Sequence, residues 1–195
     1  MTPIALLFGR LGLTPNALTI IGFLIACVAA ILAGAQAWVA AGLLVVFGGV
    51  FDLFDGALAR ATGKASTLGA FMDSTFDRWG EGVVYLGVAY GAQRAGLDTA
   101  VLLSTAALVA AFMVSYTRAK AESLGFTPGS GMANVGLAPR EVRIVILTIG
   151  LIVAGLAPGS PALETALGLI AVLATITTVQ RIVVTINQAA KQEQG

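Results

Sequence analysis

The chain has no histidine, a single cysteine and few charged residues, and each shortage excludes a class of function. Without histidine there can be no Ser-His or Cys-His nucleophilic site and no His-ligated metal. The lone cysteine, Cys27, excludes disulfides within the chain, cysteine-rich zinc sites and iron–sulfur clusters. A bound metal must therefore be held by oxygen, which favours a hard cation such as Mg²⁺ or Mn²⁺. A net charge of +1 provides no general attraction for nucleic acid.

Charged residues make up 11% of the 195 residues, and hydrophobic residues make up 57%. A soluble domain carries roughly 25% charged residues. The composition therefore predicts an integral membrane protein with one all-α domain over residues 1–195. A helix that crosses the bilayer needs about 20 mostly apolar residues. Six segments have this pattern and predict a six-transmembrane-helix bundle, with spans at 17–35, 38–53, 71–93, 99–116, 144–157 and 161–184.

Basic residues are distributed unevenly over the two sides that these spans define. All lysines and arginines except Arg94 lie on, or lean toward, the side that holds both termini. The positive-inside rule then places both termini in the cytoplasm, as expected for a multi-pass protein of the cell membrane. Residues 1–13 are amphipathic and predict a short segment along the membrane surface, with a frayed terminus as the alternative. Residues 185–195 predict a solvated tail, disordered beyond Lys191.

Four aspartates lie at the cytoplasmic ends of the second and third spans. Asp52 and Asp55 are three residues apart, and Asp73 and Asp77 are four apart, so each pair shares one face of a helix. Two adjacent antiparallel helices would aim both pairs at one point. Four like charges repel, so they require neutralisation by nearby basic side chains or by one or two divalent cations. Ordinary cap and interface charges are the alternative interpretation.

Small residues accompany these acids. Gly56 follows Asp55 directly, Ala59 lies close to the Asp52 face, and Gly69 stands four residues before Asp73. A missing side chain lets a bulky ligand approach the backbone. Small residues also favour close helix packing in membranes, and both roles can hold at once.

A group of arginines lies on the same side of the membrane. Arg118 ends the fourth span, Arg140 and Arg143 open the fifth, and Arg181 is near the cytoplasmic end of the sixth. If they converge beside the aspartates, four cations suit an acceptor that carries its own phosphate. Positive-inside anchoring of each arginine is the alternative, and Arg118 can also pair with Glu122 four residues later.

The stretch from Asp52 to Asp77 reads D-x-x-D-G-x-x-A-R-x8-G-x3-D-x3-D with all eight fixed positions filled. It resembles the signature of the CDP-alcohol phosphatidyltransferase family. The run from Leu13 to Thr19, which leads into the first span, is similar to the entry of the first span in that family as well. The resemblance implies a membrane enzyme, often a homodimer, that transfers a phosphatidyl group from a CDP-linked lipid to an alcohol and releases CMP.

The resemblance also implies roles for individual residues. Two metal ions, Mg²⁺ by preference, would lie among the aspartates and form a two-metal clamp on the pyrophosphate. Asp52, Asp55 and Asp73 would be metal ligands, and Asp77 would be a further ligand or the general base for the acceptor hydroxyl. The positions that would line the CDP-lipid site are Gly56, Ala59, Arg60 and Gly69, with Arg60 at the pyrophosphate.

The S-Y-T-R-A-K-A-E run at 115–122 and the two arginines three apart at 140 and 143 resemble the branch that uses inositol phosphate. This branch includes phosphatidylinositol phosphate synthases and their archaeal counterparts, and it makes inositol 1-phosphate the expected acceptor. Two features depart from that branch: Pro139 stands where an acidic residue is usual, and the loop at 126–135 is longer and richer in glycine. Glycerol 3-phosphate or another alcohol is the alternative acceptor. More distant alternatives are a cation transporter and a non-catalytic scaffold.

Overall fold

The computed structural model describes residues 7–10, 12–126, 132 and 135–192. Residues 7–10 are helical, and no strand occurs in the described part of the chain. The all-α prediction is therefore confirmed. Six long helices follow one another: α1 (Pro15–Gly34), α2 (Trp38–Ala61), α3 (Thr67–Arg94), α4 (Asp98–Ser123), α5 (Arg140–Leu156) and α6 (Ala162–Gln192).

Two of the helix starts, those of α1 and α3, are capped by side chains. Thr14 caps α1, where its Oγ1 accepts a hydrogen bond from the Ala17 amide at 3.2 Å, and Pro15 occupies the first turn. Ser66 caps α3 in the same way, accepting from the Gly69 amide at 3.0 Å. These caps place the starts of both helices close to the aspartate-bearing segments.

Several helices extend beyond the apolar segments that predicted them. The second was expected to end at residue 53, but α2 continues to Ala61, and the chain turns at Gly63 with φ +66°. The sixth was expected to end at residue 184, but α6 continues to Gln192, and its residues 185–192 are exposed or half-buried, as expected for a solvated tail. A helix ends where its hydrogen-bonding pattern is interrupted, not where its hydropathy falls. Residues 193–195 and most of 1–13 lie outside the described residues.

Among the described residues, four helices are long and apolar enough to cross a membrane by length and composition: α1, α2, α4 and α6. Helix α5 has 17 residues and α3 has 28. Helix α3 also carries two of the aspartates, which lower its apolar character.

The principal contacts between helices close a ring in the order α1, α2, α5, α6, α4, α3. Helix α1 therefore packs against both α2 and α3, the two helices that carry the aspartates. The α1–α3 contact is especially close, since a Cβ at Gly87 or Gly91 would overlap the backbone of Ala30 or Ala33. Small residues on α1 and α3 thus bring the second aspartate pair toward the first.

The core lies in the middle of the ring. It is formed by buried side chains of all six long helices, among them Tyr85, Val88, Leu151, Leu167 and Ile170. A second cluster lies under the aspartate end of α2. There Phe8 packs on Phe51 and Phe54 with ring centroids 5.6 Å apart, so the helical residues 7–10 are held against α2.

Candidate active site

Asp55 is buried between α2 and α1. Only 5% of it is exposed, and its Oδ2 accepts a hydrogen bond from Thr19 Oγ1 at 2.7 Å. Its Oδ1 accepts from the Gly56 amide. No basic side chain in the described residues forms an ion pair with Asp55 or with Asp73. The Asp55 charge is therefore stabilised by neutral donors alone.

Asp52 and Asp77 are joined by Arg140. The guanidinium donates from Nη2 to Asp52 Oδ2 at 2.8 Å, and its Nη1 lies 3.1 Å from Asp77 Oδ1. Arg78 approaches the other oxygen of Asp77, with its Nη1 3.7 Å from Oδ2. Helix α1 closes the opposite side, because a Cβ at Gly22 would overlap Asp52 Oδ1. Residues of α1, α2, α3 and α5 thus meet at one point.

The structure brings the four predicted aspartates into one electrostatic neighbourhood. The charges of Asp52 and Asp73 lie close enough to act on both Asp55 and Asp77. They do not form a ready-made metal cage: across 7–10, 12–126, 132 and 135–192, no three acidic or cysteine side chains are arranged to hold an ion. Arg140 stands between two of the carboxylates instead.

These residues fit a divalent cation in donor type and in charge. All the donors are carboxylate oxygens, which Mg²⁺ and Mn²⁺ prefer. Asp55 is buried with no cationic partner among the described residues, and a buried charge in that situation is unfavourable. A cation beside Asp55 would supply the missing charge. Asp52 and Asp77 would first have to exchange Arg140 for it.

The four residues predicted to line the CDP-lipid site lie on two neighbouring helix ends. Gly56, Ala59 and Arg60 are in the last turns of α2, and the exposed Arg60 folds back along its own helix toward Gly56. Gly69 is in the first turn of α3, where a Cβ would lie 3.3 Å from Asn16 Oδ1 of α1. The starts of α1 and α3 therefore adjoin the end of α2.

The four predicted acceptor arginines lie on the same side as the aspartates, and each already has a protein partner. Arg118 pairs with Glu122 on its own helix at 3.1 Å. Arg181 is buried and donates to the backbone carbonyls of Val135 and Val114. The charges of Arg118 and Arg143 lie near enough to act on Arg181. Arg118, Arg143 and Arg181 therefore lie in one electrostatic neighbourhood.

Arg143 is the most completely enclosed of the four, with a side chain 1% exposed. It donates to both carboxylate oxygens of Glu81 on α3, from Nε at 2.7 Å and from Nη2 at 2.8 Å. Its Nη1 donates to the Ala138 carbonyl at 2.8 Å. This is a bidentate, charge-assisted ion pair between α3 and α5.

Sequence reasoning assigned no role to Thr19, Gly22 or Glu81, yet all three contact the predicted site. The signal for Glu81 is its spacing: it continues the face of Asp73 and Asp77 at the next interval of four. Thr19 and Gly22 break an apolar span at an interval of three, which marks one face of α1.

A cavity extends from this site toward the middle of the ring. Its polar end includes Asp52, Asp77, Glu81 and Arg140, and its apolar end is lined by side chains of α1, α2, α3 and α5. It has about 580 Å³ of unfilled space, part of it open to the surroundings.

Residues 12–186 match the CDP-alcohol phosphatidyltransferase family. The chain therefore belongs to this family and is an enzyme of that class. The matched range contains every residue of the aspartate motif and all four arginines. Together with its apolar helices, the match identifies the chain as an integral membrane protein.

Individual relatives within the family give a more specific comparison than the family match. The chain is 40% identical to archaetidylinositol phosphate synthase of Pyrococcus horikoshii, over 88% of this chain and 83% of that protein. It is 37% identical to phosphatidylinositol phosphate synthase of Cutibacterium acnes, over 94% of this chain and 90% of that protein. The fold resembles phosphatidylinositol phosphate synthase of Mycobacterium tuberculosis crystallised with CDP-DAG, with a TM-score of 0.85, 34% identity and coverage of 94% and 92%. A second crystal structure of that enzyme, with manganese and citrate, gives a TM-score of 0.82 at 33% identity, covering 94% of this chain and 88% of the other.

Proposed function

We propose that this protein transfers the phosphatidyl group of CDP-diacylglycerol to the hydroxyl of inositol 1-phosphate and releases CMP. The observation that carries this proposal is Arg140, whose guanidinium contacts both Asp52 and Asp77. A guanidinium, which suits bidentate phosphate binding, therefore lies directly beside carboxylates of the type that hold divalent cations. The relatives named for inositol phosphate products support the same acceptor.

At the phosphorus atom, the reaction forms one P–O bond and breaks another. The acceptor oxygen bonds to the phosphorus that carries diacylglycerol, the pyrophosphate P–O bond breaks, and CMP leaves. We assign the acceptor's proton to Asp77, because a carboxylate is the only plausible side-chain base in a site without histidine. Arg118, Arg140, Arg143 and Arg181 are assigned to the acceptor-phosphate end of the site, and Gly56, Ala59, Arg60 and Gly69 to the CDP-lipid.

A divalent cation, when bound, stabilises negative charge on the pyrophosphate. We propose Asp52, Asp55, Asp73 and Asp77 as its ligands, with two ions and with Mg²⁺ or Mn²⁺ as the metal. The burial of Asp55, with no basic side-chain partner in the described part of the chain, supports this assignment, as does the manganese complex of the M. tuberculosis relative. The remaining contribution of the chain is to orient these carboxylates from α2 and α3.

We further propose that all six helices span the cell membrane within a single domain, with both termini and the active site facing the cytoplasm. The distribution of lysine and arginine supports this orientation. A homodimer is proposed from the family resemblance alone. Labelling of single cysteines placed at Gln36 and at Lys191 in a Cys27→Ser background, from each side of sealed vesicles, tests the orientation.

The direct test is CMP release from CDP-diacylglycerol by the purified protein with Mg²⁺ or Mn²⁺. Inositol 1-phosphate, glycerol 3-phosphate, inositol and serine are supplied in parallel. We expect release with inositol 1-phosphate alone, and release about 10²- to 10⁴-fold slower from an Asp77→Asn variant that still binds the CDP-lipid. Release with glycerol 3-phosphate alone would contradict the acceptor while keeping the reaction class.

A further inference from the structure

The ion pair between Glu81 and Arg143 connects α3 to α5 inside the bundle. Both side chains are nearly enclosed, 9% and 1% exposed, and both carboxylate oxygens are used. A bidentate pair fixes the orientation of the guanidinium as well as its position. The start of α5 is thereby fastened to α3 four residues beyond Asp77.

Arg143 also holds the chain that leads into α5. Its Nη1 donates to the Ala138 carbonyl at 2.8 Å. From the other side, the amides of Leu137 and Ala138 donate to Thr177 Oγ1 of α6 at 3.0 and 2.9 Å. The segment immediately before Arg140 is therefore fixed by α3 through Arg143 and by α6 through Thr177.

Arg140 is the first residue of α5 and lies three residues before Arg143 on the same face of the helix. Its contacts with Asp52 and Asp77 depend on where this first turn is held. Arg143 has its Nε and both Nη atoms bonded to protein oxygens. These contacts suit a fixed support better than a group that binds and releases a substrate phosphate at every turnover.

We propose that Glu81 and Arg143 are positioning residues: their ion pair holds the first turn of α5 so that Arg140 is presented to the acceptor phosphate beside Asp52 and Asp77. This inference rests on the proposed function and refines the role of Arg143 within it. It also adds Glu81, a residue of α3 whose two carboxylate oxygens both accept from Arg143, to the determinants of acceptor binding.

Glu81→Gln is the first test, because it keeps the shape of the side chain and removes its charge. We expect the KM for inositol 1-phosphate to rise on the order of tenfold, as for other residues that orient a ligand-binding group. The KM for CDP-diacylglycerol should stay within about twofold of wild type. In the protein without substrates, amide hydrogen exchange at residues 138–143 should become faster. Glu81→Asp, which restores the charge, should recover part of the acceptor affinity.

A matched control separates positioning from general stability. Ser104 is fully buried on α4, and its Oγ donates to the Tyr85 carbonyl of α3 at 2.9 Å. This hydrogen bond joins α3 to α4 and does not involve α5. Ser104→Ala should lower the melting temperature but leave the ratio of the two KM values unchanged. The double variant Glu81→Leu/Arg143→Met covers the case in which Glu81→Gln does not fold. Replacing a whole buried ion pair by apolar side chains is often neutral for stability.

The results decide between two roles. The positioning role is supported if Glu81→Gln or the double variant shows both a raised KM for inositol 1-phosphate and faster amide exchange at 138–143. A folded double variant with a wild-type acceptor KM and unchanged exchange would show that the pair serves packing alone and would overturn the proposal. If the wild-type protein uses an acceptor without phosphate, the proposed function fails. Hydrogen exchange at 138–143 in the same variants still tests the ion pair: faster exchange shows that the pair holds the start of α5, and unchanged exchange shows that it does not.

Discussion

Gly22→Ala is a steric test of the site that changes no charge. Gly22 is buried on α1, and the Cβ of an alanine would overlap Asp52 Oδ1. Either the carboxylate or helix α1 must then move by about 1 Å to reach ordinary van der Waals separation. A displacement of about 1 Å at reacting groups can lower the rate about 10²-fold. We therefore expect CMP release to fall by that order, and Mn²⁺ binding to weaken.

The matched control is the same substitution at Gly168 on α6. There, among the described residues, a Cβ would meet only the side chain of Leu103, at 3.7 Å from Cδ1 and 3.9 Å from Cδ2, which are ordinary contacts. Gly168→Ala should keep wild-type turnover and a melting temperature equal to or above wild type, because alanine favours the helix. Both variants would be assayed for CMP release, Mn²⁺ binding and thermal unfolding in the same detergent. Turnover within about twofold of wild type in Gly22→Ala would refute the placement of Asp52 against α1.

Three further changes test single contacts. Asp77→Asn should lower turnover by about 10²- to 10⁴-fold, which is the range for loss of a general base, while CDP-lipid binding remains measurable. Near-normal turnover would exclude Asp77 as the general base. Arg181→Gln should raise the KM for inositol 1-phosphate well above that for the CDP-lipid, and equal effects on both would argue against the acceptor assignment. Thr19→Val removes the hydroxyl that donates to Asp55 Oδ2. The free energy of unfolding measured in EDTA should fall by about 1–3 kcal/mol. The loss should be smaller with saturating Mn²⁺, because a bound cation then compensates the carboxylate. Thr105→Val, which loses only a bond to its own helix at Val101, is the control; an equal loss in both variants would contradict the special role of Thr19.

The donor set of the site could be predicted from the sequence because helical spacing is a local property. Intervals of three and four put Asp52 with Asp55 and Asp73 with Asp77 on single helix faces wherever the helices lie. The membrane class followed from the scarcity of charge, and the family followed from the filled motif. The structure places Asp52 and Asp73 within electrostatic reach of both Asp55 and Asp77.

Helix ends were less predictable. Hydropathy marks where a chain can contact lipid, whereas α2 and α6 continue as long as their backbone hydrogen bonds can form. This is why residues 54–61 and 185–192 are helical although they lie beyond the predicted spans.

The sequence by itself determined the chemistry available to this protein: carboxylates with no histidine and a single cysteine, arginines on the same side, and apolar helices long enough for a bilayer. Only the tertiary structure decided which groups meet. Arg140 reaches Asp52 across 88 positions of sequence, and Arg143 reaches Glu81 across 62. Such contacts depend on the order of helices around the ring and on how closely small residues let them approach. That order arises from packing of the whole bundle, which no local interval in the chain encodes.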